Sequence, residues 1–309
     1  MGVFVLLPLV LPCTAWPVAR LAEQHLHPRA ATWLLTGVAG VLAVCSTLCL
    51  ALLMVVGTAQ LPGNPLPDGW SDPEVRAAVP YDEVAGRAAI VALVAVVAAC
   101  ARTVWRHARV RRLAGRALAG IAPGPVAVVR DGAPYAYALP GGPGRVVVTT
   151  GMLAELDPAE RRALFAHERA HLAARHHRFL LAAQLAARAH PFLRPLRTAV
   201  FYAAERWADE DAAAAVGDRR TVARAIGRAA LVSRGAPPAV LAHFAVAGPV
   251  PRRVAALLGP APAPRVWPSV FTTVGLAVWG AAAGTTVSAL SSANSAVTLF
   301  FILKAATPL

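Results

Sequence analysis

ALFAHERAHLAARHHRF, residues 163–179, contains the pentapeptide HERAH at 167–171. It poses one question: whether two histidines four residues apart form half of a metal site, or merely punctuate an alanine- and arginine-rich helix. The flanking chain favours a helix. In DPAERRALFAHERAHLAARHHRFLLAAQLAARAH, residues 157–190, Asp157 is placed to cap, Pro158 takes the first helical position and Glu160 follows three residues after the cap. A helix is expected over the whole stretch. Residues four apart on a helix lie about 40° apart and one turn up, so His167 and His171 face the same way and can grip one metal ion. Glu168 then lies beside the metal's open position, where it can take a proton from water and pass it to a leaving amine. Histidines scattered on such a helix are also easily produced, and HExxH alone does not decide between the two readings.

A third ligand decides it, because catalytic zinc takes three protein ligands plus water. The next helical stretch, FYAAERWADEDAAAAVG at 201–217, offers Glu205 among small and apolar residues, with Asp209 one turn on. Glu205 is the expected ligand. Asp209, on the same face, is expected to hydrogen-bond a ligand histidine. The competing reading is a solvated acidic patch, since Glu210 and Asp211 follow directly. Upstream, GPVAVVRD at 124–131 reads as a strand, and within PYAYALPGGPGRVVVTTGML at 134–153 GGPG is turn chemistry before the short β-branched run RVVVTT, so a small sheet, a hairpin being one form of it, is expected before the helices. RVVVTT is expected either to sit in an ordinary sheet or to pair with an extended substrate by strand addition.

The remaining chain is apolar. Of 309 residues 57% are hydrophobic, and mean hydropathy is +0.55, above the roughly one-half usual for soluble domains. The excess collects in runs expected to cross a membrane at 3–19, 31–58, 84–101 and 267–290, the last followed by SSANS (291–295) and a short apolar tail. The expected organisation is 1–104 with three spans, 105–265 as a soluble domain, and 266–309 with a C-terminal span. The loop at 59–86 is acidic, with Asp68, Asp72, Glu74, Asp82 and Glu83 against Arg76. Arg102, Arg106, Arg109, Arg111, Arg112 and Arg116 follow the third span, and Arg20 and Arg29 stand against Glu23 after the first. These place the N-terminus outside and the 105–265 domain in the cytoplasm. Net charge is +14, carried mostly by arginines beside apolar segments, which argues for membrane topology and against a nucleic-acid partner. Cys13, Cys45, Cys49 and Cys100 lie in apolar runs without metal-site spacing and imply no disulfide framework.

YALPG…GRVVVTTGML, HERAH, HPFLRPL and ERWAD together resemble the membrane zinc metallopeptidases of the BlaR/MecR antibiotic-sensor type, and are similar to the related HtpX and CAAX prenyl protease group. In those families a Glu-x-x-x-Asp motif follows the HExxH helix and its Glu completes the zinc site; Glu205 and Asp209 match that spacing. The resemblance implies a mostly α protein: transmembrane helices plus a cytoplasmic α+β zincin-like domain with a small sheet. It further implies a Zn2+ cofactor, a protein or peptide substrate, residence in a bacterial plasma membrane, and a signalling role through cleavage of a repressor. Two departures stand out. No penicillin-binding sensor domain follows the last span in the given sequence, so direct β-lactam sensing is not expected. Tyr135 also stands where the related proteases often have an asparagine.

Other residues are less decided. His176 and His177 are expected to be solvated or membrane-facing polar residues, and His190 a helix-terminal one. His243, Tyr202 and Arg206 are candidate transition-state stabilisers. FLLAAQLAA at 179–187 is too short to span and is expected in a core or against the bilayer. A non-catalytic membrane transducer that keeps zinc for structure is the rival reading, although Glu168 has no structural task in zinc binding. The sequence carries no signal for an oligomeric state.

Overall fold

The computed structural model describes residues 5–73, 75, 82–142, 144–233, 249–263 and 267–307. The protein is mostly helical, with one small sheet among the described residues. The chain opens with α1 (Leu7–Val10), a 3-10 turn (Leu11–Thr14) and α2 (Ala15–His25), followed by the long α3 (Pro28–Ala59) and α4 (Asp82–Ala117). Next come β1 (Val126–Val129), β2 (Ala136–Leu139) and β3 (Arg145–Thr149), and then α5 (Thr150–Glu155), α6 (Pro158–Ala173), α7 (His176–Ala189) and α8 (Arg194–Val216). The chain closes with α9 (Arg219–Val232), α10 (Val250–Leu258) and α11 (Thr273–Ala305).

Among the described residues, three helices are long and apolar enough to cross a membrane: α3, the Val84–Ala117 part of α4, and α11. The stretch expected as a first span, 3–19, is divided between α1, the 3-10 turn and the start of α2. Pro8 and Pro12 sit at the openings of the first two pieces, where a proline ring is tolerated but a continuous i→i−4 ladder is interrupted. The expected end of the C-terminal span at SSANS is not seen; α11 runs through it. Ser292 Oγ donates to Ser288 O at 2.8 Å, and Cys49 Sγ of α3 lies 3.7 Å from it. Serine hydroxyls that bond back to their own helix keep such a segment helical inside a bundle. Where α3 crosses α4, Gly57 and Gly86 meet backbone to backbone, and a Cβ on either would lie within 2.6 Å of the other's main chain.

The sheet has the order β1-β3-β2. β1 pairs with β3 in parallel, and β2 with β3 antiparallel in the register Ala136↔Val148 and Ala138↔Val146. The expected hairpin is therefore β2–β3. RVVVT occupies the central strand, paired on both sides, so it is closed to strand addition and the outer edge of β2 is open instead.

One core joins the membrane helices to the helices carrying the motifs. Leu35, Val38 and Leu42 of α3 pack with Leu180 and Ala183 of α7 and with Leu196, Val200 and Ala204 of α8. Trp33 meets Phe179 edge-on at 4.7 Å. The FLLAAQLAA run thus lies in a core. The helix expected as continuous over 157–190 breaks at Arg175, which adopts the left-handed conformation (φ 53°), so that α6 ends at Ala173 and α7 begins at His176.

Candidate metal centre

Two helices build the site. α6 begins with the expected cap: Asp157 Oδ1 accepts from the Ala159 and Glu160 amides, and Glu160 returns a bond to the Asp157 amide. This fixes the helix three turns before His167. α8 starts at a Pro-containing first turn and ends at Gly217 in the left-handed conformation (φ 78°). Its buried face is made of small residues, Ala204, Ala208 and Ala212, each fully buried, and α6 meets it through Ala163. Small side chains bring the two axes close enough for His167, His171 and Glu205 to converge.

They converge tightly. Ligand-capable atoms of the three side chains lie within 4.8 Å of one another and could hold a metal ion. The two Nε2 atoms are 3.1 Å apart, His171 Nε2 is 3.4 Å from Glu205 Oε1, and His167 Nε2 is 3.6 Å from Glu205 Oε2. Asp209 is fully buried, with Oδ1 3.1 Å from His167 Nδ1, so it lies behind the imidazole. Glu168 sits in the same cleft, where its carboxylate accepts from the Ala138 amide of β2. The cleft, about 110 Å³, is lined by Ala136, Tyr137 and Ala138 on one side and by the two histidines, Glu168 and Glu205 on the other.

Electrostatics follow from this packing. Burial would hold His167 down, but the Asp209 and Glu205 carboxylates outweigh it and push it up to about 10. Burial dominates at His171, held down to about 4. Glu168 is raised, chiefly by burial. Glu205 and Asp209 stay below the ordinary carboxylate range despite their burial, because Arg253 and the histidines stabilise the charged forms.

Two residues here escape a sequence reading. Arg253, from α10, is buried and donates Nε and Nη2 to Asp209 at 2.9 and 2.6 Å, with Nη1 2.8 Å from Glu205 Oε2. Only the Pro249–Val250 helix start hints at an ordered segment there. His176 was expected to be solvated or membrane-facing. It is fully buried, its Nδ1 lies 2.8 Å from His171 Nδ1, and its ring stands edge-on to Trp207 at 4.6 Å. The turn at Arg175 makes this possible, since on an unbroken helix residues five apart diverge by about 140°.

The other candidates fall elsewhere. Tyr202 packs under the Arg252 guanidinium, 4.4 Å from its ring centroid. Arg206 pairs with Glu210 at 2.6 Å. Both line a different cavity, with Glu23 and His27, so neither is placed to stabilise charge at Glu168. His243 lies outside the described residues. His190 caps the end of α7, and His177 lines the cleft mouth. Tyr135 donates its hydroxyl to Asp131 Oδ2 at 3.3 Å and stacks on Tyr137.

Two histidines and a glutamate facing one point, with a second glutamate beside them in a cleft, are the donor set of a metal-dependent hydrolase. In agreement, residues 100–189 match the family model of peptidase family M48. The matched stretch takes in the end of α4, the sheet, and both helices around HERAH, and it supports a metallopeptidase of that family. No curated protein and no solved structure matches the chain.

Proposed function

We propose that this protein is an integral-membrane zinc endopeptidase of the BlaR/MecR type, with its 105–265 domain on the cytoplasmic face of a bacterial plasma membrane. The observation that carries the reading is the convergence of His167, His171 and Glu205 beside Glu168, in a cleft whose other wall is the open edge of β2. The donors suit zinc. Bonds of about 2.0–2.1 Å in a tetrahedral site separate ligand atoms by about 3.3–3.4 Å; here the two Nε2 atoms are 3.1 Å apart and Glu205 Oε1 lies 3.4 Å from His171 Nε2, while the 3.6 Å approach to His167 Nε2 is made by the other oxygen, Oε2.

A zinc ion held by these three side chains would supply Lewis acidity toward water and the scissile carbonyl. The rest falls to the chain itself. Asp209 and His176 hold the two imidazoles by their Nδ1 atoms, leaving both Nε2 atoms for the metal. Glu168, whose burial raises its affinity for a proton, takes as the carboxylate a proton from the attacking water and, as the carboxylic acid, delivers it to the leaving amine. An extended peptide adds to the outer edge of β2, where Ala138 already turns its N–H toward the cleft. By resemblance, the substrate is a protein at or near the inner membrane face, a transcriptional repressor being the candidate, which makes the enzyme a signal relay.

Zinc content and peptide cleavage of the detergent-purified full chain test this. Wild type should carry about one zinc, Glu205→Ala should lose or loosen it, and Glu168→Gln should keep it while losing about 100-fold or more in turnover. A zinc-free wild type after metal repletion, or undiminished cleavage by Glu168→Gln, would sink the proposal.

A further inference from the structure

The cleft has a cationic mouth that the peptidase chemistry does not use. Val84–Ala117 is a helical stretch of 34 residues, about 50 Å long at 1.5 Å per residue, against about 30 Å for a bilayer core. Its last three turns therefore project beyond the apolar layer, and they carry His107 and Arg111, one turn apart on one face. Both line the cleft that holds Glu168, and so does His177 from the first turn of α7. Arg111 is exposed and reaches across the mouth to donate Nη2 to Pro140 O at 3.3 Å, just past the end of β2. A peptide lying along β2 would pass this guanidinium.

The charge around the mouth has one sign. Arg112, which lies with Arg111 and Pro140 along a second groove, and Arg175, in the turn before α7, are exposed, and Arg175 and Arg178 act with Arg111 on His177. The two carboxylates in the cleft lie deeper, and Glu205 is compensated by Arg253. Burial, together with Arg111, pushes His177 down to about 4, so near neutrality it is an uncharged imidazole with an N–H to give. A guanidinium carries five donors in a planar fork matched to a carboxylate, and the bond to Pro140 O uses only part of it.

We infer that Arg111, flanked by His107 and His177, forms a subsite that binds a carboxylate of the substrate, either an acidic side chain near the scissile bond or a free C-terminus. The inference rests on the reading of the cleft as a peptide site. It makes Arg111 a specificity-determining residue, supplied by the membrane helix rather than by the motif-bearing ones.

The test uses full-length, zinc-loaded Glu168→Gln in detergent and fluorescence anisotropy with labelled, acetylated, alanine-rich peptides. One set is amidated with a single Glu at each position in turn, one peptide is neutral and amidated, and one is neutral with a free C-terminus. Carboxylate binding predicts that a Glu peptide or the free-acid peptide binds about tenfold or more tighter than the neutral amide; which of the two it is identifies the source of the carboxylate. The advantage should vanish when Arg111→Gln is added and reverse with Arg111→Glu, the neutral amide then binding more tightly than the acidic peptide, while zinc content reports that each variant is folded. Equal binding of all peptides, no measurable binding of any, or an advantage that survives Arg111→Gln overturns the inference. Cleavage of the same peptides by wild type separates the two ideas. Equal kcat/KM for acidic and neutral peptides removes the subsite and leaves the peptidase. Arg111-dependent binding without any cleavage keeps the subsite and removes the peptidase.

Discussion

Glu205 and Asp209, one turn apart on α8, place two carboxylates in the interior, and the guanidinium of Arg253 spans both. Removing one partner of a buried charge cluster leaves the others uncompensated, at about 3–5 kcal/mol. Arg253→Ala should therefore destabilise the metal-free protein by about that much, and the zinc-loaded protein less, because the metal offsets Glu205; thermal unfolding with and without chelator reads the difference. An equal loss in both states would mean that Arg253 does not compensate Glu205. The same cluster sets the pH response. His167 holds its proton more tightly than an ordinary histidine of about 6.5, so its contribution to the metal-free fold is full below that value and is lost as pH rises through about 10. His171 acts in the opposite sense: held down to about 4, it withdraws stability as pH falls from about 6.5 through 4. A ligand histidine must be neutral. Zinc binding near pH 7.5 should thus release about one proton, seen as a calorimetric heat that changes with the buffer's ionisation enthalpy; a buffer-independent heat would show His167 already neutral. The meeting of His167, His171 and Glu205 was legible in part: HExxH and Glu-x-x-x-Asp each fix their residues by spacing within their own helix, and the family resemblance tied the two motifs together. Arg253 was not, because it enters from a helix 44 residues beyond Asp209 and no local pattern ties the two together.

At the level of elements, the break between α6 and α7 is the departure that matters most. Nothing in LAARHHRF signals a stop: there is no glycine, proline or asparagine, and each residue is an acceptable helix former. The chain turns because tertiary packing outweighs propensity. α7 buries Phe179, Leu180 and Ala183 against α3, and His176 against His171 and Trp207. Arg175 carries the strain of that turn, and a left-handed non-glycine residue costs about 1–2 kcal/mol. Arg175→Gly should relieve it, leaving stability unchanged or up to about 1 kcal/mol higher after the glycine's greater unfolded-state entropy is counted. Arg175→Val, β-branched and worse suited to positive φ, should lower stability by about 1 kcal/mol or more and loosen zinc. Unfolding temperatures of the pair decide it: if glycine destabilises as much as valine, the backbone at 175 is not the constraint. Capping, in contrast, was readable. Asp157, Pro158 and Glu160 start α6 where the sequence places them, because a capping box is a local device and needs no distant partner.

The whole molecule is less divisible than its hydropathy suggests. Apolar runs marked three helices of spanning length correctly. The proline-rich start was less legible, since apolar content alone does not reveal where a helix ladder is interrupted. Composition also divides the chain at about 105 and 265, as though a soluble enzyme hung between spans. Packing argues otherwise. Ala183, Leu196 and Val200, all fully buried, lie against α2, α3 and Val278 of α11 rather than against the sheet. Arg29, at the start of α3, stacks over Trp207 at 5.4 Å, and Arg252 reaches Glu23 of α2 at 3.3 Å. Removing α2 and α3 would expose a contiguous apolar face on α7 and α8 too large for a monomer to leave in water. It would also free α8, which carries Glu205, to shift against α6. Fragment 105–265 expressed alone should therefore aggregate or need detergent, and it should bind less than stoichiometric zinc. Co-expression with residues 1–61 should restore part of both, because that segment rebuilds the missing wall. Size-exclusion chromatography with metal analysis of the fragment, alone and with its complement, gives the answer. A monodisperse soluble fragment holding one zinc would show that the centre stands without the membrane helices, and that their packing against α7 and α8 contributes little to the site.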